Sequence, residues 1–312
     1  MRALLGLALA VSFQPHLRAA DTLRVGVAED RQFDLVFVDV GNEKGFYQQN
    51  GLDVQKSSFG GGGKAHQALA AGSLDIVLGS GGEMQLAVKG APEKAVALVM
   101  GAPMNIVLVV NADSSIATPD EIRNKKVAVS STTSLTAWLA REFSRRQGWG
   151  PDGIQLVPLG SVEGMNAGLL TKSVDAMVGG ADPSYVLEAQ GRFKVLLSFG
   201  KIVPDFPGMM VYASNDLIAN KPDEIRKFLR GTFSTLAYMK AHREDVITLT
   251  MPMTGLPRAV AERVYDEQMP TFSTDGHFRP ESIELVKRSF VELGLLPQVP
   301  DNSAMYTDRF VR

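Results

Sequence analysis

Short apolar runs alternate with longer stretches of helical period along most of the chain, and that alternation leaves few folds open. The runs are Leu23–Ala28, Leu52–Ser57, Ile76–Leu78, Ala95–Met100, Ile106–Val110, Lys126–Val129, Ile154–Leu159, Ala176–Val178, Val195–Ser198 and Met209–Ala213. Most are unbroken strings rich in Val, Ile and Leu rather than polar–apolar alternations. A strand covered by helices on both faces has that composition, whereas a strand with one wet face alternates. The pattern predicts an α/β fold of mainly parallel sheets flanked by helices. At 312 residues the chain is long enough for two domains of ~100–200 residues each. No internal repeat, low-complexity tract or floppy linker is visible.

Two of the runs read as crossings between domains. Ile106–Asn111 comes just before the turn Ala112-Asp113-Ser114-Ser115 and a new strand–helix series, and Met209–Ala213 follows Pro204-Asp205-Phe206-Pro207-Gly208. If the chain crosses at both, the middle third is a lobe inserted into the first one. The expected division is 21–109 with 206–312 as one lobe and 110–205 as the other, joined by a two-strand hinge. Helix starts are marked by Pro near the first helical position, as in Thr118-Pro119-Asp120-Glu121, Lys221-Pro222-Asp223-Glu224, Gly255-Leu256-Pro257 and Phe278-Arg279-Pro280-Glu281. In Pro222–Ala241 the residues Ile225, Phe228, Leu229, Phe233, Leu236 and Ala237 recur at three- and four-residue spacing, which predicts one buried stripe.

Residues 1–20 have the parts of a secretory signal peptide: Arg2, an apolar run from Ala3 to Phe13, and small residues at the end. The apolar run is too short to cross a bilayer, which takes ~20 residues. The expected product is an exported, soluble protein. The chain has no Cys, which excludes thiol nucleophiles, disulfides, iron–sulfur clusters and a lipid-modified N-terminal cysteine. A formal charge of -2 gives no general attraction to nucleic acid.

Catalytic and cofactor motifs fail one by one. Gly60-Gly61-Gly62-Gly63-Lys64-Ala65 loosely fits a dinucleotide fingerprint, but it follows the second strand rather than the first. It is no phosphate loop either, since Ala65 stands where Ser or Thr would hold magnesium and Ser58 replaces the leading glycine. His16, His66, His242 and His277 have no ligand spacing, and Gly160-Ser161-Val162-Glu163-Gly164 has the wrong spacing for a nucleophile elbow. No catalytic residue, metal site or cofactor is expected.

Small polar turns instead follow one strand after another. They carry Phe59, Gly60 and Gly61; Ser80, Gly81 and Glu83; Ser130, Ser131, Thr132 and Ser134; Ser161; and Asp182 with Pro183. In an open parallel sheet such turns lie at the carboxyl ends of strands, where ligands bind. Each also leads into a helix N-terminus, whose free N–H groups favour an anionic or polar group, although Ser and Thr there serve equally as caps.

The order of segments resembles the nitrate/sulfonate/taurine-type periplasmic substrate-binding proteins of ATP-binding-cassette importers. The resemblance runs from Leu23-Arg24-Val25-Gly26-Val27 through Glu43-Lys44-Gly45-Phe46-Tyr47 and Gly51-Leu52-Asp53-Val54 to Ala68-Leu69-Ala70-Ala71-Gly72-Ser73-Leu74-Asp75-Ile76. It continues through Ser80-Gly81-Gly82-Glu83, Lys89-Gly90-Ala91-Pro92, Pro119–Ser130, Val174-Asp175-Ala176, Asp182-Pro183 and Pro222–Leu229. It implies a two-lobed type II periplasmic binding protein that takes a small organic solute or anion into an interlobe cleft and hands it to a membrane permease. It adds Phe33 and Asp34 of the first strand–helix loop to the candidate site. A monomer in the periplasm, without catalysis, is the expectation. Asp34, Glu83 and Asp182 complicate simple anion binding, and Arg31 and Lys64 are expected to face solvent. A zwitterionic or neutral ligand, or an anion held by backbone amides alone, therefore stays open. So do a cofactor-pathway enzyme of pyrimidine-synthase type, which the missing cysteines disfavour, and a ligand-sensing partner of a receptor.

Overall fold

The computed structural model describes residues 20–311, so the signal-peptide reading lies outside the described residues except for Ala20. Every predicted apolar run forms a strand: β1 Asp21–Val27, β2 Leu52–Ser58, β3 Ile76–Gly79, β4 Glu93–Met100, β5 Ile106–Asn111, β6 Lys126–Val129, β7 Gln155–Pro158, β8 Ala176–Gly180, β9 Phe193–Ser198 and β10 Met209–Ser214. They make two five-stranded sheets, ordered β2-β1-β3-β10-β4 and β7-β6-β8-β5-β9. In each, four strands run the same way and one, β10 or β5, runs antiparallel to both of its neighbours. The two sheets thus repeat one topology that no sequence repeat discloses. Each antiparallel strand is the one the chain enters after leaving the other sheet.

β5 lies wholly in the second sheet, so the expected division between residues 109 and 110 falls inside a strand. The chain changes sheet at 101–105 and again between β9 and β10. Both strands that carry the crossings are apolar because both are central in their sheets. Val107, Leu108, Val109 and Val110 of β5 and Met210, Val211, Tyr212 and Ala213 of β10 are fully buried.

One device opens the parallel part of each sheet. Asp75, just before β3, accepts the Arg24 N–H of β1 at 2.9 Å, and Asp175, just before β8, accepts the Lys126 N–H of β6 at 2.8 Å. Each carboxylate caps a backbone donor that the short neighbouring strand leaves unpaired. Asp75 also binds the Arg24 guanidinium through Nε at 2.9 Å and Nη2 at 2.8 Å.

Helices Phe37–Glu43, Gly62–Ala70 and Met84–Val88 serve the first sheet, and Leu135–Arg146, Val162–Leu170 and Ala181–Ala189 the second. The C-terminal helices add to these layers. Pro222–Ala241 buries Ile225, Phe228, Leu229 and Leu236 of the predicted stripe, while Phe233 is half-buried and Ala237, at the stripe's margin, is exposed. Tyr47 stacks on Phe228 with ring centroids 5.3 Å apart and its hydroxyl lies 3.0 Å from that of Thr232. The close fit needs glycine on both sides: a Cβ at Gly41 would lie 2.4 Å from the Tyr47 ring, and one at Gly231 2.5 Å. The outer edge of β4 is covered by the tail, with Ser273 N–H donating to Val99 O at 2.7 Å and Leu98 N–H to Gly276 O at 2.8 Å. Covering that edge removes a site for unwanted strand pairing.

One expected helix start is corrected. Pro119 opens only a single turn, Pro119–Ile122, because Arg123 leaves helical geometry at ψ 130° and Asn124 turns the chain into β6 at φ 60°. The capping box between Thr118 and Glu121 is present all the same. Among the described residues no helix is long and apolar enough to cross a membrane.

Candidate ligand-binding cleft

A cavity of about 570 Å³ opens at the carboxyl ends of the parallel strands, lined from both sheets and from both crossings. The first sheet contributes Ala28 after β1, Leu78–Ser80 at the end of β3, and Gly62 and Gly63 at the start of their helix. The second contributes Ser130, Ser131 and the turn Thr133–Thr136, with Trp138 behind it. Asn105 and Ile106 from one crossing and Phe206, Gly208 and Met209 from the other form further lining, and Phe290 comes from helix Pro280–Glu292.

Of the predicted site residues, Asp34, Ser80, Glu83, Ser130, Ser131 and Ser134 line this cavity. The others are placed elsewhere, each for a visible reason. Gly60 and Gly61 adopt φ values of 66° and 142° and form the bend itself, so the cavity wall passes to Gly62 and Gly63. Phe59 turns its ring toward β1 at Gly26. Gly81 is buried, and its N–H donates to Pro207 O at 3.0 Å. Thr132 is exposed, and its carbonyl accepts from Arg141 at 2.9 Å. Ser161 is exposed and caps its own helix by accepting the Gly164 N–H at 3.1 Å.

Phe33, Asp182 and Pro183 belong to the contact between the two halves rather than to the cavity wall. Asp182, in the first turn of Ala181–Ala189, accepts the Phe33 N–H at 2.8 Å and the Gln268 amide at 3.0 Å. Phe33 is buried edge-on against Tyr265 at 6.0 Å, and Pro183 follows Asp182 in that helix turn. The same side of the molecule carries Tyr185 donating to Glu267, and Arg263 paired with Glu188 and seated over the Tyr185 ring at 3.6 Å. On the opposite flank Trp138 Nε1 donates to Glu292 at 2.9 Å.

The polar groups of the cavity are held by one another. Ser80 accepts the Gly82 N–H at 3.2 Å and donates to Glu83 at 2.5 Å. Ser134 accepts the Ala137 N–H at 3.3 Å, lies 2.8 Å from the Thr136 hydroxyl and donates to Ser131 O at 2.7 Å. The Ser130 N–H donates to Thr136 at 3.1 Å. Asp34 accepts from Asn105 Nδ2 at 2.8 Å. Burial, and secondarily the charge of Asp182, pushes the Asp34 carboxyl up to about 7, while burial pushes Asp182 up to about 6. Beneath the floor, Tyr212 donates to Ser80 O at 2.6 Å, and His66 Nδ1 lies 2.8 and 2.9 Å from the two oxygens of the buried Glu93.

Sequence reasoning missed Gln85, Asn105, Thr136 and the apolar wall of Trp138, Phe206 and Phe290. Asn105 had a readable signal, a polar residue between two apolar runs at the expected crossing. The wall had none, since an aromatic on a helix face looks the same whether it meets core or cavity. Arg31 and Lys64 are exposed, as expected.

Residues 32–246 match the family described as NMT1/THI5 like. A Brucella abortus (strain 2308) protein provisionally named a binding protein is 25% identical over 271 residues, which is 84% of this chain and 81% of that protein. The periplasmic aliphatic sulphonate binding protein SsuA from Escherichia coli superposes with a TM-score of 0.78 over 92% of each chain at 21% identity. The desulfurization enzyme DszB superposes with a TM-score of 0.68 over 93% of this chain and 97% of its own at 14% identity. These structures share the two-lobed α/β fold of periplasmic binding proteins, which hosts both solute capture and catalysis.

Proposed function

The chain belongs to the NMT1/THI5-like family, and from that premise we propose that it is an exported solute-binding protein serving a membrane importer. It takes a small organic solute into the cleft between its lobes and releases it unchanged. The observation that carries this reading is the double origin of the cavity, whose lining comes from both sheets and both crossings. A solute touching both halves stabilises the shut form by its differential affinity for it, and a permease in the membrane reads that form.

The lobes are one body built on β1–β4 and β10 with the C-terminal helices, and a second built on β5–β9. The hinge segments are 101–105 and 199–208. The shut form is supported on one flank by Asp182 with Phe33 and Gln268, and on the other by Trp138 with Glu292. Binding rather than turnover is supported by the hydroxyls of the cleft. Those of Ser130 and Ser134 lie against Thr136 as caps and, among the described residues, have no imidazole or amine within hydrogen-bond reach to activate them. The E. coli and Brucella relatives, a sulphonate binder and a binding protein by name, point the same way. The signal-like segment 1–20 supports export, and a soluble periplasmic monomer is the state this reading takes.

The test is a comparison of the protein with its Gly62→Phe variant. A Cβ at Gly62 would lie 3.1 Å from Glu83 Oε1, so a phenyl ring there fills the cleft mouth. The wild type should gain thermal stability with its solute and yield that solute intact on denaturation. The variant should fold with unchanged circular dichroism and gain none. Chemical conversion of the solute, or unimpaired binding by the variant, overturns the reading.

A further inference from the structure

Accepting the cleft as the solute site, we propose that its solute is a protonated amine with an apolar body, held by the carboxylates of Asp34 and Glu83, rather than an anion. Among the described residues, no Lys, Arg or His lines the cavity, whereas both of these carboxylates do. The basic side chains around the cavity are set back from it: His66 lies behind Gly79 with its Nδ1 against the buried Glu93. Lys64 and Arg31 are exposed, and Lys64 Nζ lies over the Gly60 bend.

Several backbone donors of the cleft turns are already taken. At the N-terminus of helix Leu135–Arg146 the Ala137 N–H goes to Ser134 Oγ, the Ser131 N–H to the same oxygen at 3.3 Å, and the Ser130 N–H to Thr136. In the turn after β3 the Gly82 N–H goes to Ser80 Oγ and the Gly81 N–H to Pro207 O. Acceptors, by contrast, are in surplus. Gln85 Oε1 and Asn105 Oδ1 are buried, line the same cavity and have no hydrogen-bond donor. With Asp34 ionised, Asn105 cannot cure this by turning over, because its Nδ2 is committed to that carboxylate. A buried acceptor without a donor is costly, so the cavity is complementary to a group that brings N–H bonds and positive charge.

The remaining wall is apolar. Trp138, Phe206, Phe290 and Leu86 face a volume of about 570 Å³, within the range of small-molecule pockets. The group facing Asp34 from the second lobe is another acid, Asp182, with the neutral Asn105 and Gln268 beside the pair. A bound ammonium therefore lowers the affinity of Asp34 for its proton, and uptake of the amine near neutral pH releases protons.

Six probes test this: benzylamine, benzyl alcohol and benzenesulfonate, and hexylamine, hexanol and hexanesulfonate. Trp138 fluorescence reports occupancy, and calorimetry in two buffers of different ionisation enthalpy counts protons. At pH 7 the two amines should saturate the protein and release a fraction of a proton each, and the sulfonates should not bind. Glu83→Gln should weaken amine binding by roughly ten- to a hundredfold, the worth of a charge-assisted bond. Asp34→Asn should abolish the proton release. Binding of sulfonates, alcohols binding as tightly as amines, or no binding by any probe at millimolar concentration overturns the proposal. Sulfonate binding that Gly62→Phe removes would reject the amine and keep the cleft; binding of any probe that Gly62→Phe leaves intact would reject the cleft itself.

Discussion

Replacing Asp34 with Asn should stabilise the empty protein at neutral pH, by an amount that shrinks to nothing in acid. The folded protein keeps the Asp34 proton up to about pH 7 against an ordinary value of 3.8, because the carboxyl is buried and faces Asp182. Between those limits the unfolded chain has lost that proton and the folded chain still holds it. Stability therefore falls as pH rises through this window, at about 1.4 kcal/mol per unit for one proton. Over roughly three units the penalty reaches about 4 kcal/mol above pH 7 and vanishes below about pH 4. Asn at this position cannot ionise, and its carbonyl can still accept from Asn105 Nδ2, now 2.8 Å from the carboxylate. Asp182 keeps its own hydrogen bonds from Phe33 and Gln268 in the variant. For a chain of this size 4 kcal/mol corresponds to a melting shift on the order of 10 °C. Melting curves of both proteins, read by circular dichroism at intervals from pH 4 to pH 8, measure it. The curves should meet in acid and diverge toward pH 8 with the variant higher. Parallel curves, or a variant less stable at pH 8, would refute the reasoning.

Three further outcomes can be checked by urea unfolding. His66→Leu leaves the buried Glu93 without either of its imidazole contacts and should cost about 3–5 kcal/mol; an unchanged midpoint would refute the contact's structural role. Gly231→Ala puts a methyl 2.5 Å from the Tyr47 ring and should cost about 1–3 kcal/mol, with no loss expected for Ala at the open Gly63. Asp75→Ala should cost more than Arg24→Ala, since Asp75 also caps the Arg24 N–H, whereas the exposed guanidinium is worth under about 1 kcal/mol; equal losses would deny the capping role.

The strands were legible because most are buried on both faces, so that apolar residues run on without interruption from Ala95 to Met100 in β4 and from Ile106 to Val110 in β5. The polar half of the cleft was legible for a related reason. A turn that approaches a ligand must be small and must satisfy its own backbone, which selects Ser80, Ser130 and Ser134. The same chemistry also makes ordinary caps, and Ser161 is one of those. Asp182 was recognised as a residue near the site, but its role depends on Phe33 and Gln268, which no local spacing connects to it. Trp138, Phe206 and Phe290 lie far apart in the chain and share a wall only after two crossings have brought the sheets together. Pro119 misled because a proline and two acids mark a first turn equally well whether or not a second turn follows.

The topology also explains why the proposed hinge and the proposed binding site coincide. β1, β3 and β4 of the first sheet run the same way, so β4 ends at Met100 on the edge where the ligand-side turns lie. A chain leaving there reaches the second sheet at its own carboxyl edge only if the strand it enters runs backward. β5 does so, with Ile106 opposite Gly180 at the end of β8. The return is the mirror of this step: β9 ends beside the start of β5, and β10 starts at Met209 opposite Met100. Two antiparallel strands thus force both crossings onto the cleft edge, which is why Asn105, Ile106, Phe206, Gly208 and Met209 line the cavity. Asn105 carries the consequence furthest, since it sits on a crossing and donates to Asp34. On the proposed function, a solute that fills the cavity meets the residues of both crossings, so occupancy and hinge angle would be coupled by contact, with no relay between them.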